Sequence, residues 1–190
     1  MISRRSLLTG TLFLSVLSTF GVEASFAQEA PSADAILRKL QRAPAMKIAP
    51  EKRVNRSVLK RRPDLRRIAP SIDIQAINFA FGSAQIPVSE RWKVQNIGIA
   101  LNELFDRNPD EVVLIEGHTD AVGRRQANQR LSQGRAASLK RDLVRYFKVP
   151  SYNLDTVGYG EDFLLVQTQS DNWRNRRVTL RRITDVISPY

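Results

Sequence analysis

Residues 112–147 constrain the fold more than any other part of the chain. Val112-Val113-Leu114-Ile115 is a short apolar run, Gly117-His118-Thr119-Asp120-Ala121-Val122-Gly123 is a polar stretch bounded by glycines, and a helical pattern then continues to Phe147. A short run that is apolar on both faces fits an interior strand, and the glycines fit a turn that opens a helix. The order is strand, loop, helix. Loops that leave the carboxyl end of a strand and start a helix present backbone donors on a rigid support, an arrangement suited to binding.

Spacing within this run narrows the chemistry. Asn128 and Arg135 are seven residues apart, nearly on one line of a helix, with Leu131 and Ser132 between them. Asp120 lies in the loop just before. If the loop folds back over that helical face, a carboxylate and a guanidinium meet a common ligand, and a group bearing both an ammonium and a carboxylate satisfies the two. The alternative is an internal Asp120–Arg135 salt bridge that pins the loop to the helix.

Other chemistries are poorly supported. The chain has no cysteine and one histidine, His118. Disulfides, thiol catalysis and cysteine metal sites are therefore absent, and no cluster at ligand spacing completes a metal site around the histidine. No cofactor is expected. Ser132, His118 and Asp120 lack a nucleophile elbow and an oxyanion loop, so His118 reads as a structural loop residue. Gly158-Tyr159-Gly160 lacks a full phosphate-binding fingerprint and reads as a turn.

The first 27 residues have the layout of a signal peptide: Arg4 and Arg5, an apolar stretch Leu7 to Val22, and Ser25-Phe26-Ala27 before a cleavage point at Gln28. A retained membrane anchor is the alternative, and the paired arginines leave both the general and the twin-arginine export routes open. Residues 28–71 hold twelve Lys and Arg against four acids, most of the net charge of +11. Five prolines interrupt this arm, so the expectation is a basic, mostly extended linker with one short helix capped by Ser32 that buries Ile36, Leu37 and Leu40. Such an arm suits a solvated tether or contact with an anionic surface. Export makes nucleic acid an improbable partner.

From Ile72 the pattern becomes that of a folded domain. Ile77, Phe79 and Phe81 alternate as a first strand, and Ser89 is placed to cap a helix that stops before Pro109. Val112 to Glu116 is the second strand. The helix from about Arg124 to Phe147 carries an expected buried stripe of Ala127, Leu131, Ala136, Leu139, Leu143 and Phe147. Strands at Leu154 to Val157 and Val178 to Ile183 follow, with no readable pattern from Phe163 to Trp173. The β-α-β-α-β order predicts an α+β domain of two layers, with a mixed sheet and helices packed on one face.

The series Gly117, His118, Thr119, Asp120, Gly123, Asn128, Leu131, Ser132, Arg135 and Ala136 resembles the OmpA-like carboxyl-terminal domain. Further matches fall in order: Ile77-Asn78-Phe79 with Ser83-Ala84, then Gly158-Tyr159-Gly160-Glu161, then Asn175-Arg176-Arg177-Val178. The resemblance covers residues 72–185, leaving 186–190 as a tail. It implies a non-enzymatic periplasmic protein whose partner is peptidoglycan, with Asp120 and Arg135 gripping the diaminopimelate of the stem peptide beside Thr119, Asn128 and Arg176. Outer-membrane or other envelope proteins are further implied partners. Rival readings are an interaction module for an envelope protein and a lipid-surface binder acting through the basic arm. Two departures, Ala80 in the first strand motif and Phe163-Leu164 after Glu161, affect the rim of the implied pocket. Lacking cysteine, the chain cannot carry the lipid anchor of the peptidoglycan-associated lipoproteins.

Overall fold

The computed structural model describes residues 30–75, 77–79 and 82–188. The expected signal peptide lies outside the described residues. Four strands form one mixed sheet: β1 (Ser71–Ile74), β2 (Val113–Gly117), β3 (Leu154–Gly158) and β4 (Val178–Arg182), in the order β1-β4-β2-β3. β4 runs antiparallel to both β1 and β2, while β2 and β3 are parallel and joined through a long helix. The α+β class, the mixed sheet and the interior place of β2 match the sequence reading.

Alternation along the strands sorts their side chains onto two faces. Val113, Ile115, Val178, Leu180 and Ile74 point into the main core, where they meet α4 (Arg91–Arg107) and α5 (Arg125–Phe147). α4 contributes Val94, Ile97, Leu101 and Leu104, and α5 contributes Ala136, Leu139 and Leu143. Gly98 lets the two helices close up, since a Cβ there would sit 2.7 Å from that of Phe147. α5 ends where Lys148 enters the left-handed region at φ 58°, which stops the helix at a non-glycine residue.

The arm differs most from expectation. It is not extended: α1 (Ala33–Leu40), α2 (Arg56–Leu59) and α3 (Pro63–Ile68) all pack on the domain. Ser32 caps α1 as expected, its hydroxyl accepting from the Ala35 amide at 3.2 Å, and Ile36, Leu37 and Leu40 join the main core. The three apolar residues suffice because α4 supplies the other half of their packing. α2 and α3 cover the opposite face of the sheet, where Leu59 and Ala69 form a second core with Leu114, Ile183, Val186 and Ile187. The two long helices occupy one face as expected, and the arm supplies a layer on the other. Residues 186–188 are no loose tail, since Val54 and Ile187 form a bridge and the Ser188 amide donates to the Val54 carbonyl at 2.9 Å.

The arm's charge explains the docking. Glu116 is fully buried on the second face, and its carboxylate accepts two hydrogen bonds from Arg66 at 3.0 and 2.7 Å and two from Arg181 at 2.7 and 3.2 Å. Lys60 pairs with Asp155 at 2.8 Å, and the Tyr159 hydroxyl donates to the Lys60 carbonyl at 2.9 Å. Burial alone would push the Glu116 carboxyl up, but the neighbouring His118 imidazole together with the charges and hydrogen bonds of Arg181 and Arg66 outweighs it and holds the group below the usual carboxylate range.

Two further expectations shift. The first strand is Ser71–Ile74 and not the Ile77–Phe81 alternation, because β4 begins at Val178, the partner of Ile74, and offers nothing to pair beyond it. Residues 77–79 lie in no strand, though Ile77 is buried and Phe79 packs at the core edge; Ala80 and Phe81 lie outside the described residues. Nor does Ser89 cap α4. Val88–Glu90 is a single 3-10 turn, and Glu90 accepts instead from the Asn78 amide at 3.0 Å and from Lys93 at 2.7 Å.

Leu59→Ala should destabilise the whole protein by about 2–5 kcal/mol, read as a lower urea midpoint in a single transition. An unchanged midpoint would mean that the arm is no part of the cooperative unit. Glu116→Gln, which strands two buried guanidiniums, should cost about 3–5 kcal/mol in the same assay.

Candidate functional site

The β2–α5 loop is held from three sides. The His118 amide donates to the Arg177 carbonyl at 3.0 Å and the Thr119 amide to the Gly160 carbonyl at 2.9 Å, tying the loop to the segments beside β4 and after β3. From α5, the Asn128 side-chain amide reaches back to the carbonyls of Asp120 at 3.3 Å and Val122 at 3.1 Å, and to Glu161 at 2.7 Å. Gly123 turns the chain at φ 99°, a conformation that a side chain would strain. Asn128 therefore shapes the loop and has its donors committed to it.

The first half of α5 explains itself through the strand ends beneath it. A Cβ at Gly117 would lie 2.1 Å from the Ser132 carbonyl oxygen, and one at Gly158 2.3 Å from the Gln133 amide nitrogen, so only glycines let the helix approach so closely. At this range helix side chains serve the exposed backbone. Ser132 accepts from the Gly160 amide at 2.8 Å and Gln133 from the Gly158 amide at 2.6 Å, while Gln129 donates to the Gly158 carbonyl at 2.6 Å. The inward line is thus Asn128, Ser132 and Arg135, all buried. Leu131, expected in the core, is only partly buried, and Ala127 is exposed. Ser132 also donates to the Gln129 carbonyl at 2.9 Å, and this fully buried hydroxyl has no hydrogen bond to His118.

Asp120 and Arg135 both come to this end of the sheet, and both are nearly buried. They do not pair with each other within 4.0 Å. Instead Arg176, half exposed, donates to Asp120 Oδ2 at 2.8 Å, and the Val122 amide donates to Oδ1 at 3.3 Å. Arg135 donates through Nε to the Ser83 carbonyl at 3.2 Å, and its guanidinium lies 4.8 Å from the centre of the Phe79 ring. Burial and the positive Arg176 lower the Arg135 pKa, while Asp120 opposes the shift, so the three charges share one local field. Thr119 is buried beside them, and its hydroxyl oxygen has no hydrogen-bond partner. Arg176 is shared between Asp120 and, at 4.0 Å, Asp171, whereas Arg135 has no carboxylate within 4.0 Å among the described residues, which favours a ligand with a carboxylate of its own.

Sequence spacing pointed to Asp120, Asn128 and Arg135, and the structure gathers them together with Thr119 and Arg176. What spacing missed is the far wall, Phe79 and Ser83, which orients Arg135 from a segment some fifty residues upstream. Glu161, which anchors Asn128, was also missed. Both segments contain family-matching residues, and that was the only available signal.

His118 is almost wholly buried and stacks on Tyr159 with ring centres 5.7 Å apart. Neither ring nitrogen has a hydrogen-bond partner, the nearest carboxylate being Glu116 at 3.7 Å. Burial pushes its pKa below the ordinary 6.5, so it is neutral at pH 7. Among the described residues no group of three or more His, Asp or Glu is placed to hold a metal ion.

The model of the OmpA family matches residues 78–178, which span the loop, both long helices and the start of β4. This chain belongs to the OmpA family. Outer membrane protein Omp38 of Acinetobacter baumannii is 33% identical over 100 residues, covering 52% of this chain and 28% of that protein. Outer membrane porin F of Pseudomonas aeruginosa is 29% identical over 104 residues, covering 54% and 29%. The match thus spans under a third of the length of either relative. The periplasmic domain of Helicobacter pylori MotB shares the OmpA-like fold at 15% identity and a TM-score of 0.51, covering 60% of this chain and 75% of that one.

His118 fixes the sign of a pH effect. Because its folded pKa lies below 6.5, the unfolded chain binds the extra proton first as pH falls, and stability drops below about pH 6.5. Urea midpoints measured from pH 7 to 5.5 should fall in the wild type and flatten in His118→Phe. An equal slope in both would remove the histidine as the cause.

Proposed function

We propose that this chain is a non-enzymatic, peptidoglycan-binding protein of the Gram-negative periplasm that recognises the diaminopimelate of the stem peptide. The observation that carries the reading is the convergence of Asp120, Arg135 and Arg176 on one end of the sheet, with Asp120 and Arg135 nearly buried. The free centre of diaminopimelate bears an ammonium and a carboxylate. The ammonium would meet Asp120, and the carboxylate the fork of Arg135 and the half-exposed end of Arg176. Arg135 is held by Ser83 and Phe79 before any ligand arrives, which reduces the side-chain entropy lost on binding. Thr119 adds a hydroxyl at the floor, and Asn128 keeps the loop in shape. Membership of the OmpA family and the outer-membrane relatives support the envelope setting.

Each charge-assisted hydrogen bond contributes about 1.5–3 kcal/mol. A few of them give modest affinity for one stem peptide, and the repeated sites of the wall polymer raise retention. The full chain should sediment with diaminopimelate-containing peptidoglycan, and free diaminopimelate should compete. Asp120→Ala or Arg135→Ala should each weaken retention by about tenfold or more, and a wall polymer with lysine at that position should bind weakly because it lacks the carboxylate. Wild-type retention by both folded variants would overturn the site. Competition by an envelope protein but not by free diaminopimelate would favour an interaction module.

A further inference from the structure

A cavity lies on the face of the sheet away from α4 and α5, between α3 and the segment after β3. It has a volume of about 380 Å³, within the range of small-molecule sites. Four guanidiniums line it: Arg66 and Arg67 from α3, and Arg177 and Arg181 from beside and within β4. Three carboxylates accompany them, but each is committed. Glu116 accepts from both Arg66 and Arg181, Asp73 pairs with Arg177 at 3.2 Å, and Asp162 is engaged by Arg125 at 2.6 Å. Counting only the groups that face one another, four cations meet two carboxylates. Arg67 is exposed and makes no hydrogen bond or ion pair among the described residues, and the Nη1 of Arg66 likewise has no partner.

Arg66 and Arg181 are held in place, while Arg67 is exposed beside them. The Arg66 guanidinium lies 4.0 Å from the Tyr159 ring centre and 4.4 Å from that of Phe163, and Arg181 also donates to the carbonyls of Arg66 and Ala69. A surplus of charge beside a preorganised fork is what a carboxylate or phosphate group requires, and at Arg66 little side-chain freedom remains to be lost on binding. The opposite wall is apolar, formed by Phe163, Leu164 and the half-exposed Leu165.

We propose that this cavity is an anion-binding site, separate from the Asp120 cluster, for the carboxylate or phosphate of a small organic molecule whose apolar part rests on Leu164 and Leu165. The anion sits against Arg66 and Arg67. The molecule would then bridge the arm and the sheet, so binding should also tighten the docking of α3.

Arginine Nε–Hε spectra of the full chain, titrated at constant ionic strength and pH 7 with sodium phosphate and separately with sodium butyrate, test the proposal. Saturable shifts of the Arg66 and Arg181 signals are expected with at least one probe, with a midpoint raised about tenfold by Arg67→Gln and unchanged by Arg135→Ala. Leu165→Ser should weaken butyrate more than phosphate, separating an organic carboxylate from a simple phosphate as the natural source. Shifts that stay linear in concentration for both probes, that appear only at Arg135 and Arg176, or that ignore Arg67→Gln would overturn it. Arg67 has no structural partner, so its loss should leave the unfolding midpoint unchanged and the result interpretable.

Discussion

A single buried carboxylate joins the layers of this protein. Glu116 sits in the middle of the sheet on a strand that is otherwise apolar, where an unpaired charge would cost several kcal/mol. Arg181 comes from the neighbouring strand and would accompany any folded sheet. Arg66 comes from the arm, fifty residues away in sequence. The second face of the sheet is therefore complete only when α3 is in place. The aromatic stack of Arg66 on Tyr159 and Phe163 carries the same coupling towards the segment that follows β3.

α5 solves two problems along one helix. Its carboxyl half packs Leu139 and Leu143 against α4 in the ordinary way. Its amino half lies so close to the ends of β2 and β3 that no apolar side chain fits between, and its inward residues instead satisfy strand-end amides and carbonyls. The polar line that results ends at Arg135. The position of the candidate site thus follows from backbone satisfaction at the strand ends, and its charge from the loop and the segment before β4.

Much of this was legible beforehand where the pattern was local. β2, β3, β4 and both long helices fall within a residue or two of the expected spans, because apolar periodicity and glycine or proline boundaries marked them. The loop residues Asp120 and Arg135 were visible as a spacing. Apart from the Ser89 cap, the failures were non-local. The Ile77–Phe81 alternation looked like a strand because Ile77 and Phe79 do face the core, but a strand needs a partner and β4 had none to give. Leu131 looked like core because a helical stripe cannot reveal that glycines bring backbone against it. The arm looked like a tether because its prolines and basic charge are those of linkers, while its counter-charges, Glu116 and Asp155, lie far along the sequence.

The docked arm also has a mechanical consequence. Fully extended, residues 30–71 would reach roughly 140 Å at about 3.4 Å per residue. Packed as they are, they lend the Asp120 site no slack. A pull applied at residue 30 is met first by α1 on α4, then by the Lys60 and Arg66 pairs, and only then by the edge strand β1, which the arm enters directly through Pro70. The helices ahead of the sheet therefore act as a series of catches that shield the β1–β4 pairing, and with it the Asp120 end of the sheet, from load applied through the arm.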